Sequence, residues 1–412
     1  MRDIDVDIRR KKKMLKLQEF LNAHPNDYEE ILTQKPYCLK IKHKDTRVLF
    51  KYDQVESDFH EPIVCESRGI ILEEGTWKVL RLAFYKFFNQ GESLAAEIDW
   101  DSADANEKID GSLMSVYWYN GQWRLASNGT IDAYDANVNV FDADGNLTTE
   151  KISFGEIFES ILPLSAFDKY GVHKTMCYTF ELVSPKTTVI IKYDEPGLYL
   201  LSARDMPTLQ EVRNPETYLP ANMMNDFGIK LPQKFETKGF DSFKKIVEEM
   251  DGDDHEGIVV FDKNFNRVKM KTVEYLTRHY YKGAGINLDR LAEVVASNED
   301  GEFLSYFPEH TNGVMKLHKY VDKLKEFAAR CDGELNTFDV DLFGMKSILD
   351  PKERRKFFAS WVMKHFGNDP YKKGLLFKGY DKKACETVSG WSQGKWIDFM
   401  KYAVEHPEEW GN

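Results

Sequence analysis

Residues Glu107-Lys108-Ile109-Asp110-Gly111-Ser112 place an amine on a short turn ahead of the strand-like run Leu113–Trp118, with a carboxylate two residues on and then a glycine. An amine held there can act as a nucleophile toward a phosphate. The spacing alone proves little, because a Lys-x-Asp-Gly tetrad arises by chance in roughly one chain in ten of this size. A free lysine has a pKa of about 10.4, which leaves on the order of one in a thousand or fewer uncharged at neutral pH. Neighbouring cations or a divalent ion disfavour the ammonium form, and Lys269-Met270-Lys271 offers two further amines. Residues i and i+2 of a strand face the same side, so both amines are expected to point into one pocket. Two such cations repel unless an anion holds them, and a phosphate is such an anion.

Acids and further cations flank this pair. Glu181 lies inside the apolar run Thr179-Phe180-Glu181-Leu182-Val183, and Glu256 opens the apolar strand Gly257-Ile258-Val259-Val260. Burying a carboxylate is costly unless it meets a partner. A buried salt bridge, a metal ligand and an acceptor for a ribose hydroxyl all satisfy that condition, since hard Mg²⁺ takes oxygen ligands. Asp110, beside Lys108, fits the same metal-side chemistry. Upstream, Arg68 in Glu66-Ser67-Arg68-Gly69 can clasp a phosphate with two parallel hydrogen bonds, whereas Lys86 in Tyr85-Lys86-Phe87-Phe88-Asn89 offers a point charge. Either residue serves equally well as a structural ion-pair partner.

The elements that position these residues begin with a helix-like opening at Leu15–Leu21. Strand signals follow at Arg47–Tyr52 and Ile63–Leu72, where β-branched and aromatic residues concentrate. Val116–Tyr119 and Gln122–Leu125 flank Asn120-Gly121, a pair suited to a two-residue hairpin because both turn positions need positive φ. Phe154–Leu162 reads as helix, Met176–Leu182 and Leu198–Ser202 as buried strands with Thr188–Tyr193 between them, and Asp241–Met250 as a helix. Two strands, Gly257–Phe261 and Val268–Lys271, then surround a turn at residues 262–266. Beyond residue 280 the pattern becomes helical, at Leu288–Ser297, Val314–Cys331 and Arg354–Phe366. Two domains are therefore predicted, 1–282 and 283–412, with Gly283-Ala284-Gly285 at the boundary.

A chain of 412 residues exceeds one ordinary core. Its 42% hydrophobic and 13% aromatic content suffices for packed cores, and no uncharged run is long enough to span a membrane. The charged start Met1–Asp7 lacks an apolar signal core, which predicts cytosolic residence. Five cysteines without paired spacing argue against a disulfide framework or a zinc cluster. The net charge of −12 disfavours blanket binding to nucleic acid but leaves room for local basic patches. One is Arg9-Arg10-Lys11-Lys12-Lys13, which reads more readily as a solvated helix face than as an RNA contact. Another spans 364–395, with lysines at 364, 372, 373, 378, 382, 383 and 395 against acids at 369, 381 and 386, interleaved with Phe366, Tyr371, Phe377, Tyr380, Trp391 and Trp396. Charge beside aromatic faces suits unstacked RNA bases, and a core with a basic rim explains it as well. Glu299-Asp300-Gly301-Glu302 reads as a helix-ending loop, with cation binding as the sharper alternative.

In order, a Lys-x-Asp-Gly nucleophile, Glu181, Glu256-Gly257 and a Lys-x-Lys pair resemble the covalent nucleotidyltransferase superfamily. Glu66-Ser67-Arg68-Gly69-Ile70, Lys86-Phe87-Phe88-Asn89, Lys108–Leu113, Phe180–Pro185 and Lys269-Met270-Lys271 resemble, more closely, the bacteriophage RNA ligase 1 family, over roughly residues 45–282. The resemblance implies an α+β fold: a nucleotidyltransferase domain of antiparallel sheets with flanking helices, followed by a mostly helical C-terminal domain that helps select RNA. It implies an ATP-dependent RNA ligase, monomeric and working with Mg²⁺ or Mn²⁺, that joins 5′-phosphate and 3′-hydroxyl ends through lysyl-AMP on Lys108 and then an RNA-adenylate. Cleaved tRNA in the cytosol of an infected host is the substrate the family suggests.

By the same resemblance Glu181 meets the AMP ribose or a metal, Glu256 and Asp110 a metal, and Lys269 and Lys271 the α-phosphate. Arg68 and Lys86 hold the outgoing pyrophosphate, Tyr52 lies in the nucleotide pocket, and Glu107 reads the adenine amine. One departure stands out: Ser127-Asn128-Gly129-Thr130 carries Asn128 where the family pattern has lysine, so an amide replaces a charge. DNA ligases and capping guanylyltransferases resemble this pattern too. They carry arginine two residues after the motif glycine, where this chain has Leu113, and a β-barrel after the catalytic core, where this chain has helices. An RNA-binding relative without activity is the remaining alternative, against which the intact Lys108, Glu256, Lys269 and Lys271 speak.

Overall fold

The structure is a computed structural model that describes residues 14–141, 147–280, 287–341, 351–380 and 384–410. The chain divides between His279 and Tyr280 into two compact units. The boundary glycines at 283 and 285, the basic run at 9–13 and residues 381–383 lie outside the described residues.

Among the described residues the first unit is built on three larger, mainly antiparallel sheets, and Asn137–Phe141 pairs with Leu147–Ser153 as a separate two-stranded sheet. Lys40–Lys44, Arg47–Lys51, Arg68–Glu73 and Val79–Arg81 form a four-stranded meander in sequence order. A five-stranded sheet runs in the order Gln210–Glu211, Gly197–Asp205, Met176–Val183, Ser112–Tyr119, Gln122–Ser127. These two sheets meet through buried Leu49, Ile71 and Leu80 on one side and Tyr117, Ala126 and Cys177 on the other. On its far face the second sheet packs Met114, Tyr178, Phe180 and Leu200 against Phe158 and Phe167 of two short helices. A third sheet runs Lys234–Phe235, Asp104–Glu107, Gly257–Phe261, Arg267–Lys271, Phe88–Asn89, the last pair being parallel. Ala105, Ile258, Val260, Val268 and Met270 bury one of its faces under Phe243 and Val247 of helix Phe240–Glu249.

The Asn120-Gly121 hairpin forms, with φ of 49° and 77° at the two turn positions. One stretch of the first unit differs from its sequence reading. Ile63–Leu72 is not one strand. Pro62 opens a helix, Pro62–Glu66, because its fixed φ and missing N–H suit a first turn, and the strand starts only at Arg68. Thr188–Tyr193 is irregular, since the N–H groups of Ile190 and Ile191 are taken by a side chain, as described below, and are lost to any ladder.

The second unit is helical, with Leu288–Ala296, Asp300–Tyr306, Thr311–Asp341, Pro351–Phe366, Pro370–Tyr380, Ala384–Ser389, Gln393–Glu405 and Pro407–Trp410. Phe303, Leu317, Leu324, Phe358, Val362, Phe399 and Met400 are buried in it. The 299–302 segment starts a helix rather than ending one, and Asp300 Oδ2 lies 3.1 Å from His318 Nε2. The aromatics of 364–395 mostly pack on one another: Tyr371 meets Trp391 and Phe399, Trp391 meets Trp396, and Phe377 meets Phe358. No helix among the described residues is long and apolar enough to cross a membrane. Among the described residues none of the five cysteines is in a disulfide.

Candidate active site

Strand register builds the centre of the site. Asp104–Glu107 pairs with Gly257–Phe261, and the Lys108 N–H donates to Gly257 O at 2.8 Å. This brings Lys108 beside the residue before Gly257. Lys108 Nζ lies 2.5 Å from Glu256 Oε2, although 148 residues separate them. On the other flank Gly257 is opposite Lys271, whose Nζ lies 3.2 Å from Glu256 Oε1. Glu256 is 3% exposed and is held between two ammonium groups.

Two glycines permit this geometry. A β-carbon on Gly257 would lie 2.1 Å from Met270 O, with φ at +143°. One on Gly111 would lie 2.5 Å from Leu182 O and 3.0 Å from Glu181 Cγ. The glycine of the Lys-x-Asp-Gly turn is therefore what lets the Ser112–Tyr119 strand start directly against the Glu181 strand.

A cavity of about 240 Å³ opens here, lined by Lys108, Glu181, Lys269, Lys271, Arg68 and Glu107 together with Phe84, Phe87, Leu113, Leu201, Phe261 and Phe265. Burial pushes the Glu181 carboxyl up to about 8, and the carboxylates of Glu256 and Asp110 push the same way while Lys108 and Arg68 oppose them. The pocket is thus lined by cations and aromatic rings together, a combination that fits a phosphorylated nucleoside.

Of the residues singled out from sequence, Lys108, Glu181, Glu256, Lys269, Lys271, Arg68 and Glu107 come together in or against this cavity. Others stand differently. Asp110, expected on the metal side, is 6% exposed and its oxygens are already engaged: Oδ2 accepts from the N–H groups of Ile190 and Ile191 at 2.8 and 2.7 Å, and Oδ1 accepts from Tyr275 O–H at 3.0 Å. It anchors a loop and a helix. Glu107, expected to read adenine, holds His255 Nδ1 at 2.7 Å. Lys86 and Tyr52 do not line the cavity; the Lys86 ammonium sits among the rings of Phe59, Phe88 and Tyr52, at 4.8, 5.2 and 5.5 Å. Asn128 Oδ1 accepts from Arg81 Nη2 at 3.0 Å, so the amide that stands in place of lysine is committed to a buried guanidinium. Among the described residues no three His, Cys, Asp or Glu side chains converge as a metal site by themselves.

Sequence reading missed Arg267, Glu211 and Arg213 on the cavity wall. Arg267 bonds Glu211, which also bonds Arg204, and the Arg267 guanidinium lies over Phe84, Phe265 and Phe261. The signal for Arg267 was present: Arg267, Lys269 and Lys271 alternate along one strand and so share a face.

A family model described as RNA ligase matches residues 66–276, just over half of the chain, and the chain belongs to that family. Within it the similarity runs to phage enzymes. The RNA ligase of Rhodothermus phage RM378 is 26% identical over 410 residues, covering 84% of this chain and 89% of that protein. RNA ligase 1 of bacteriophage TS2126 is 31% identical over 156 residues, covering 36% of each. A protein of Autographa californica nuclear polyhedrosis virus, described as a candidate bifunctional polynucleotide kinase/RNA ligase, is 29% identical over 304 residues, 68% of this chain. The chain matches only 40% of that viral protein's length. Among solved structures an archaeal ATP-dependent RNA ligase is similar over 95% of this chain and 90% of its own, at 12% identity and a TM-score of 0.39. A Naegleria gruberi RNA ligase solved with ATP and Mn covers 43% of this chain and 52% of its own, at 13% identity and a TM-score of 0.32.

Proposed function

We propose that this chain is an ATP-dependent RNA ligase that carries AMP on Lys108. The observation that carries this reading is the Lys108–Glu256–Lys271 triad on the wall of a cavity that also presents Lys269 and Arg68. Lys108 Nζ attacks the α-phosphorus of ATP, a P–N bond forms, the bond to the β-phosphate oxygen breaks and pyrophosphate leaves. The 5′-phosphate of an RNA then attacks the lysyl-AMP, taking the adenylate. A 3′-hydroxyl finally attacks that activated phosphate and AMP departs. Splitting one condensation into three displacements is the service of the covalent intermediate.

Lys269 and Lys271 stabilise charge developing on the transferring phosphoryl group, and Arg68 holds the outgoing pyrophosphate. Mg²⁺ keeps several waters and takes only one or two carboxylates when phosphates complete its shell; Glu256 and Glu181 fit that demand. Bound there, the ion supplies positive charge that disfavours the ammonium form of Lys108. The aromatic rings of the lining receive the base. We read Asp110, whose oxygens are engaged, as positioning the Lys108 turn. Residues 280–412 help select the RNA, and cleaved tRNA in the cytosol of a phage-infected cell is the substrate we favour. The enzyme acts as a monomer.

Mass spectrometry after mixing with ATP and Mg²⁺ tests the mechanism. An AMP adduct on Lys108 that is lost in Lys108→Ala is expected. No adduct in the wild type, or one that persists in the variant, overturns it. Parallel incubation with GTP, and with nicked DNA against 5′-phosphate RNA, separates this reading from capping and DNA joining.

A further inference from the structure

Three cations stand directly opposite one another across adjacent strands of the first sheet: Lys40 faces Lys51, and Lys51 faces Arg68. Like charges in register are destabilising. Lys40 is relieved by Asp53, at 2.7 Å. Lys51 is half-buried, and among the described residues neither it nor Arg68 is bonded to a carboxylate. Lys42, two residues from Lys40 and on the same side of its strand, donates to Gly129 O at 2.8 Å. A β-carbon on Gly129 would lie 3.4 Å from Lys51 Nζ, so both lysines converge on this one glycine. Burial, together with Lys40, Lys42 and Arg68, pushes the Lys51 ammonium below its usual range, with Asp53 opposing. Arg68 also lines the cavity of Lys108, which ties this corner to the reacting centre.

We infer that Lys51, with Arg68 and Lys42, forms a phosphate-binding corner of the active site, and that Lys51 supplies the cation that Asn128, committed to Arg81, does not. An uncompensated half-buried ammonium is a cost to the fold that a bound phosphate removes. The inference rests on the ligase reading. The phosphate belongs either to the triphosphate tail of ATP or to the RNA strand.

The test uses full-length wild type, Lys51→Met and Lys51→Arg in three assays: AMP-adduct formation against ATP concentration, joining of pre-adenylated RNA without ATP, and calorimetric titration with ATP and with 5′-phosphorylated RNA. Loss of one charge-assisted phosphate contact predicts a ten- to hundredfold weakening, on the order of 1.5–3 kcal/mol, in Lys51→Met, with substantial retention in Lys51→Arg. A loss seen with ATP identifies the triphosphate; a loss confined to joining and RNA titration identifies the strand. The melting temperature of Lys51→Met should equal or exceed that of wild type, because a repelled cation is removed. Wild-type activity and binding in Lys51→Met, or a fall in its melting temperature that accounts for the loss, overturns the inference. Absence of any adduct in wild type refutes the ligase reading instead, while the titrations still report on Lys51.

Discussion

Asn128 carries the sharpest residue-scale argument. Arg81 is fully buried and, among the described residues, bonds no carboxylate; its guanidinium donates to Ser115 Oγ, Gly69 O and Asn128 Oδ1. Burial pushes this group down to about 10, with Arg68 adding to the effect. An amide oxygen at position 128 relieves Arg81, whereas a lysine there would add a second cation. Asn128→Ala is expected to leave one buried N–H unsatisfied and to cost about 1–3 kcal/mol, read as a lower denaturant midpoint with unchanged slope. Asn128→Lys should cost at least as much despite restoring the residue type of the family pattern; equal stability for either variant would refute this account. The same logic separates Asp110 from Lys108, the proposed nucleophile. Asp110→Ala strips the acceptor from two backbone N–H groups and a tyrosine hydroxyl, so it should lower the melting temperature and adduct formation together. Asp110→Asn should recover part of the stability. A variant that loses the adduct while melting like wild type would return Asp110 to a direct chemical role.

At the scale of elements, what was legible in the sequence follows from how local its physical cause is. The Asn120-Gly121 hairpin and the strand Gly257–Phe261 could be read because turn residues and apolar runs act within a few residues. The role of Asp110 could not, since its partners lie 80, 81 and 165 residues away. Lys108, Glu256 and Lys271 were found as types in a spacing, but only the pairing of Asp104–Glu107 with Gly257–Phe261 turns them into a contact. The Ile63–Leu72 reading failed because Pro62 outweighed β-propensity. The 299–302 turn shows how a local rule can yield to a tertiary one: Asp300 begins a helix and meets His318 on the next long helix. That hydrogen bond raises the His318 pKa, with burial opposing. A histidine raised in the folded state stabilises fully below its unfolded value of about 6.5, and the contribution fades as pH rises through the folded value. The melting temperature of wild type relative to Asp300→Asn should therefore be highest in mild acid and converge toward alkaline pH. A difference independent of pH would assign the contact to packing instead.

For the whole molecule, the two units differ in fold, and the proposed ligase reading gives them different tasks. Among the described residues, all that line the Lys108 cavity lie before residue 280, and so do the members of the hydrophobic clusters around Phe50, Phe180 and Ile258. On the proposed mechanism, adduct formation needs only ATP, a divalent ion and those residues, so it should not require the helical unit. Joining also needs two RNA ends brought together, and the helical unit places lysines against aromatic rings, as with Lys395 over Trp391 and Lys372 over Trp410, at 4.7 and 4.6 Å. A fragment ending at Tyr280 keeps Tyr275 on Asp110 and the whole of helix Val273–Tyr280. It is expected to unfold cooperatively and to form the AMP adduct at a rate within an order of magnitude of the full chain, while joining of 5′-phosphate RNA falls by on the order of a hundredfold or more, the loss of several contacts each worth about a kcal/mol. Circular dichroism melts, the adduct assay and the joining assay measure the three quantities separately. A folded fragment that joins RNA as well as the full chain would remove residues 281–412 from RNA selection. A folded fragment that cannot form the adduct would make the helical unit part of the nucleotidyl-transfer machinery itself.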